Sequence, residues 1–287
     1  MFQGSFVALV TPFRDGQVDR RDLEALVDHQ IERGTQGIVP CGTTGESATL
    51  SHDEHELVIG TVVERAAGRV PVLAGTGSNS TDEAIRLTRF AQKAGADGAL
   101  LITPYYNRPT QHGLVAHFRA VAEATEIPLV LYNVPSRTGV NMLPETVIEC
   151  SRIPRVVGIK EASGSIDQTV EILRECDLDV LSGDDSLTLP LMAVGARGVI
   201  SVVANVAPRK MSELVASATR GDYDTARALH LELFPLFKRL FCETNPIPVK
   251  AAVAMRGLIT EEIRLPLTPL SDRYREDLRR LVTELAD

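Results

Sequence analysis

Val156-Val157-Gly158-Ile159-Lys160 is apolar at successive positions and then ends on a lysine. A strand with one face in water alternates apolar and polar side chains. A short run without alternation suits a strand covered on both faces, as in a parallel sheet. Seven further runs share this character, at residues 6–10, 37–41, 70–74, 99–103, 128–132, 179–182 and 198–203. Segments with helical spacing separate them. Leu23, Leu26, Val27 and Ile31 mark one helix face, Leu57, Val58, Thr61 and Val62 a second, and Ile85, Leu87, Thr88, Ala91 and Gln92 a third. Eight strand-then-helix units predict an α/β fold, a closed (β/α)8 TIM barrel. The rival is an open doubly wound sheet, whose first turn would carry GxGxxG; the first run here is followed by no such turn.

The pattern changes after residue 221. No buried strand follows, and residues 222–241, 246–257 and 271–285 read as helices with proline-containing linkers between them. The expected organisation is a catalytic barrel over residues 1–221 and a C-terminal helical extension over 222–287. A net charge of −8 without any basic run argues against nucleic acid and anionic membrane as partners. Residues 1–13 lack the make-up of a signal peptide, and no apolar run has the length of a membrane span. The expectation is a cytoplasmic protein. Cys41, Cys150, Cys176 and Cys242 contain no CxxC pair, so neither a zinc site nor a disulfide framework is expected.

Barrel enzymes place their chemistry at the C-terminal ends of the strands. There the sequence puts Gly42-Thr43-Thr44-Gly45-Glu46, Pro104-Tyr105-Tyr106-Asn107, Tyr132-Asn133-Val134-Pro135, Lys160-Glu161 and Ser182-Gly183-Asp184-Asp185. Lys160 stands out because the chain has only five lysines and this one closes a buried run. Burial disfavours the ammonium, lowers its pKa and frees the neutral amine to attack a carbonyl. The alternative is a structural ion pair with Glu161 or Asp184. Tyrosines are also scarce, and three of the five, Tyr105, Tyr106 and Tyr132, fall at two strand ends. A phenol can pass protons in a dry site, with Thr43 or Thr44 as a bridging hydroxyl; core or lid packing is the plainer role, favoured for Tyr105 alone.

The Gly42–Gly45 turn offers backbone N–H groups to a carboxylate, although many tight turns look alike. Arg137, in Ser136-Arg137-Thr138-Gly139, suits a second carboxylate by its forked geometry, or is a surface arginine. His52 and His55 form a His-x-x-His without a third ligand, so a metal is not expected. They read as the start of a helix with Ser51 as N-cap and Glu54 at N3. No role is assigned to Cys41.

These motifs together resemble the dihydrodipicolinate synthase family, within the pyruvate-dependent class I aldolases that also include N-acetylneuraminate lyase. The resemblance extends from the first residues to Arg264-Leu265-Pro266-Leu267-Thr268-Pro269, with matching stretches at 42–47, 104–109, 132–139, 158–161, 181–185, 198–201 and 245–250. It implies a Schiff base between Lys160 and pyruvate, with Tyr132 as proton donor and acceptor. It implies a relay through Thr43 and a Tyr106 supplied by a neighbouring subunit. Thr44 and the Ile200 backbone would contact pyruvate, and Arg137 the carboxylate of L-aspartate 4-semialdehyde. Ser47, Ala48, His52, His55, Asn79, Glu83 and Tyr105 match the cleft that binds the effector L-lysine in feedback-inhibited members. The resemblance further implies a homotetramer built as a dimer of dimers, and no metal or organic cofactor. A sugar-acid or N-acetylneuraminate aldolase is the runner-up; Thr43, Thr44 and Arg137 favour the synthase. A barrel that has lost its chemistry would be expected to lack Lys160, Tyr132 or the relay.

Overall fold

The computed structural model describes residues 1–287. Eight strands form one sheet: β1 (Gly4–Ala8), β2 (Gly37–Val39), β3 (Leu73–Gly75), β4 (Gly98–Ile102), β5 (Leu129–Asn133), β6 (Val156–Glu161), β7 (Asp179–Ser182) and β8 (Gly198–Ser201). Neighbours run in the order β2-β1-β8-β7-β6-β5-β4-β3, and every pair is parallel. A parallel bridge from Ile38 to Val72 joins the two ends, so the sheet closes into a barrel.

Eight principal helices surround it: α1 (Arg20–Glu32), α2 (His52–Ala66), α3 (Thr81–Ala94), α4 (Gln111–Ala124), α5 (Pro144–Cys150), α6 (Ile166–Glu175), α7 (Thr188–Ala193) and α8 (Pro208–Thr219). Three more follow, α9 (Tyr223–Arg239), α10 (Ile247–Met255) and α11 (Asp272–Leu285).

The missing alternation in the sequence has a visible cause. In β5, Val130 and Tyr132 belong to the cluster inside the barrel, with Phe6, Val39 and Ile200. Leu129 and Leu131 belong instead to the layer between strands and helices, with Leu114, Phe118 and Ile159. Both faces are buried, so both are apolar. The other half of the outer layer mixes Val7, Ile38 and Val199 with Leu233, Leu236, Val249 and Leu278. The C-terminal helices therefore share their apolar core with the barrel.

All eight expected strands exist; β7 has the expected ends and the other seven are shifted at one end or both. The third begins at Leu73 rather than 70, because Pro71 has no N–H for the ladder and only its carbonyl pairs, with Ile38 N at 3.0 Å. The first begins at Gly4, where small and polar residues hid it, and ends at Ala8, after which Val10 N donates to the Asn205 side chain at 3.1 Å. In α2 the buried face is Val58, Ile59, Thr61 and Val62; Leu57 is exposed, so that edge of the expected stripe is displaced. Gln92 likewise lies outside the buried face of α3, which is Ala84, Leu87, Thr88 and Ala91. Ser51 and Glu54 form the expected capping box at the start of α2, an arrangement whose loss costs about 1 kcal/mol. The four cysteines are free, and no helix is long and apolar enough to cross a membrane.

Candidate active site

Lys160 and Tyr132 are paired residues of β6 and β5, each one before the last of its strand. Side chains on adjacent strands at one register point the same way. Both enter the barrel at its C-terminal end, and the lysine Nζ lies 4.3 Å from the centre of the tyrosine ring. Gly183 makes room for this: a Cβ there would meet the Ala162 methyl at 2.6 Å and the Lys160 Cε at 3.2 Å. Lys160 is buried yet makes no ion pair. Burial pulls its pKa down to about 8, against the charges of Asp184 and Asp185, which favour the ammonium. Burial pushes the Tyr132 phenol up to about 12, with Arg137 and the neighbouring Thr43 hydroxyl offsetting part of the shift. The phenol thus stays protonated at neutral pH and can serve as a donor.

Neither ion pair considered from sequence forms. Strand alternation turns Glu161 to the opposite face, where amides hold it. Asp184 lines the same cavity as Lys160 without reaching ion-pair distance, and its own pKa is raised by burial although Lys160 opposes the shift.

The cavity has a volume of about 170 Å³ and gathers Thr43, Thr44, Tyr132, Arg137, Lys160 and Asp184 among its walls. Thr44 is buried, and its Oγ1 accepts from Asn245 Nδ2 at 3.0 Å. Arg137 sits on the short helical turn Pro135–Thr138, and its Nη2 donates to the Asn245 carbonyl at 3.1 Å. Asn245 therefore holds both groups from the segment before α10. Sequence reading gave it no role, because nothing in the local pattern shows which residues the C-terminal helices return to the barrel mouth. Ile200 is buried in β8. The chain after it is pinned by Asp185, whose carboxylate accepts from Ser201 Oγ at 2.5 Å, Val202 N at 3.1 Å and Val203 N at 3.2 Å. Tyr106 is not among the cavity walls. It is 91% exposed, with φ of 72°, a left-handed conformation unusual for a bulky side chain.

The second residue set lies on the loops and helix starts after β2, β3 and β4. Ser47 and Ala48 form a 3-10 turn before α2. His52 Nε2 bonds Glu83 Oε1 at 2.7 Å, and Arg86 Nη1 lies 2.7 Å from His52 Nδ1. Glu83 also accepts from Ser78, and these hydrogen bonds hold its carboxyl below the usual range. His55 is buried and pulled down to about 4 by desolvation, hence neutral. The Asn79 carbonyl accepts from Asn107 Nδ2 at 2.8 Å, and Tyr105 is half-buried on the loop after β4. No group of three or more His, Cys, Asp or Glu side chains is arranged to hold a metal ion. A wider, open depression of about 560 Å³ occupies the other end of the barrel, near Met1, Val156 and Asp179, away from Lys160.

A closed parallel barrel whose mouth presents a buried lysine, a phenol and an arginine is a (β/α)8 enzyme with its chemistry at the C-terminal face. The chain belongs to the Dihydrodipicolinate synthetase family, whose sequence model matches residues 1–285; membership makes it a lyase. It is 59% identical over 280 residues to the 4-hydroxy-tetrahydrodipicolinate synthase of Pelobacter propionicus, covering 97% of each chain. Its fold matches the chloride-inhibited dihydrodipicolinate synthase of Acinetobacter baumannii complexed with pyruvate, at a TM-score of 0.97 and 50% identity over 99% of both chains. It also matches the enzyme of Cyanidioschyzon merolae with lysine bound, at a TM-score of 0.95 and 41% identity over 98% of this chain and 97% of that one.

Proposed function

We propose that this chain is a 4-hydroxy-tetrahydrodipicolinate synthase, condensing pyruvate with L-aspartate 4-semialdehyde in the diaminopimelate route to lysine. The observation that carries this reading is Lys160: buried, free of any ion pair and set over the Tyr132 ring at the cavity mouth. The pyruvate complex of the Acinetobacter relative supports the first substrate. The neutral amine adds to the pyruvate C2 carbonyl, and loss of water gives the protonated imine. That imine draws electrons from the methyl group, which yields a proton and becomes the enamine carbon. The enamine then attacks the aldehyde carbon of the second substrate, and the amino group of that substrate adds to the imine carbon, closing the ring and expelling the Lys160 amine. Tyr132 passes the protons, relayed by Thr43 and by a Tyr106 from a neighbouring subunit, a reading supported by the exposure of Tyr106 and its absence from the cavity walls. Thr44 and the Ile200 backbone contact pyruvate, and Arg137 binds the carboxylate of the semialdehyde. No metal or organic cofactor enters the scheme.

The same reading makes the protein a cytoplasmic homotetramer inhibited by L-lysine, with residues 222–287 as a helical extension of the catalytic barrel. The effector cleft comprises Ser47, Ala48, His52, His55, Asn79, Glu83 and Tyr105, with Glu83 facing the effector ammonium. The lysine-bound relative supports this assignment. The deciding assay supplies pyruvate with either L-aspartate 4-semialdehyde or N-acetylmannosamine. Turnover of the first alone, reduced by millimolar lysine, is expected. Turnover of the sugar alone would contradict the assignment, and activity flat against lysine would remove its regulatory half.

A further inference from the structure

Behind Lys160 and Tyr132, on the outer face of the same strands, lies a buried carboxylate without a cation. Asn133 and Glu161 are register partners, each one residue beyond the cavity pair. Glu161 is 2% exposed and Asn133 fully buried. Ser163 N donates to Glu161 Oε1 at 2.6 Å, and Gln168 Nε2 to Oε2 at 3.2 Å. Asn133 Nδ2 lies 3.4 and 3.3 Å from the two oxygens. The same Nδ2 donates to Asn141 Oδ1 at 2.8 Å, and Asn141 Nδ2 donates to Gln168 Oε1 at 2.9 Å, which closes a ring.

The direction of this ring is fixed. Met142 N can only donate, and it donates to Asn133 Oδ1 at 3.0 Å, so the Asn133 amide cannot turn over. Ser163 N also can only donate. A glutamine at 161 would therefore place its NH2 where Oε2 now meets Gln168. Turning Gln168 to accept would force Asn141 to turn, and its NH2 would then face the fixed NH2 of Asn133. No combination of amide orientations satisfies the ring; only a group accepting at both ends does. Burying a carboxylate without a cation is costly even when it is hydrogen-bonded, so a merely space-filling role would be served better by apolar side chains.

Three groups of the cavity adjoin this ring along the chain. Tyr132 precedes Asn133, Lys160 precedes Glu161, and Arg137 lies in the segment between Asn133 and Asn141. We propose that Glu161 is a positioning residue for the condensation, fixing through its amide ring the ends of β5 and β6 and the Arg137 loop, so that the lysine and the phenol meet the same substrate carbon. It acts through placement rather than charge, since the carboxylates acting on Lys160 are Asp184 and Asp185.

The proposal rests on the imine reading above, and two readouts on Glu161→Gln separate them. Borohydride trapping of pyruvate reports the imine; exchange of the pyruvate methyl protons in D2O reports proton transfer. Saturating pyruvate should still label the variant, with the pH midpoint of labelling unchanged, while exchange per labelled site falls at least tenfold. Asn141→Ala, which opens the ring at its half-buried arm, should give a smaller fall and decides the matter if Glu161→Gln does not fold. Exchange per labelled site equal to wild type in the folded variant overturns the proposal, whatever its melting temperature. A wild type that traps no pyruvate overturns the imine reading instead.

Discussion

Two lysines are buried in this protein, and they differ in one respect that matters. Lys160 lies one residue before the end of β6, and Lys250 lies in α10; both sit over an aromatic ring, at 4.3 Å from Tyr132 and 4.2 Å from Phe13. Burial pulls both away from the ordinary lysine value. Lys250 meets Glu46 at 2.5 Å, with both side chains 1% exposed, and Arg264 N donates to the other Glu46 oxygen at 3.1 Å. Lys160 has no such partner and faces a cavity instead. Burial alone thus does not make a nucleophile. A carboxylate at ion-pair distance converts a buried amine into a structural charge pair; without one, and with room for a substrate, the amine can react.

Lys160→Ala should cost roughly a thousandfold or more in condensation rate, as loss of a covalent nucleophile does. Its melting temperature should stay at or above that of wild type, because no partner is left unpaired. Tyr132→Phe should keep the pyruvate adduct and lose about 10²–10⁴-fold in methyl-proton exchange. Lys250→Ala should do the reverse. It leaves Glu46 buried without its cation, so urea unfolding should show a loss of about 3–5 kcal/mol, while pyruvate still labels Lys160 in the folded fraction. Lys250→Met combined with Glu46→Gln should recover part of that loss. The smallest effects concern pH. With Lys160 at about 8, imine formation should rise about tenfold per pH unit below that value, as ammonium becomes amine, and level off above it. Asp184 favours the ammonium, so Asp184→Asn should move that midpoint downward; a midpoint that stayed or rose would contradict the electrostatic account.

The barrel was legible because its strands are buried on both faces and read as unbroken apolar runs. Lys160 and Tyr132 were legible because each is a scarce residue at the end of such a run. Their pairing in register was not, since sequence carries no trace of which strand ends face one another. Nor was the fate of Glu161: adjacency made it look like a partner for Lys160, whereas alternation turns it outward. The Glu46–Lys250 pair and the Asn245 bridge join residues more than a hundred positions apart, through helices whose docking leaves no local signature. The exposure of Tyr106 was not legible either, since a tyrosine at a strand end reads equally well as a cavity wall.

Peptide mapping after borohydride reduction with pyruvate tests the contrast most directly. A single pyruvate-derived mass is expected on the peptide carrying Lys160, none on that carrying Lys250, and none anywhere in Lys160→Ala. Label on Lys250, or an unlabelled wild type, would contradict that expectation.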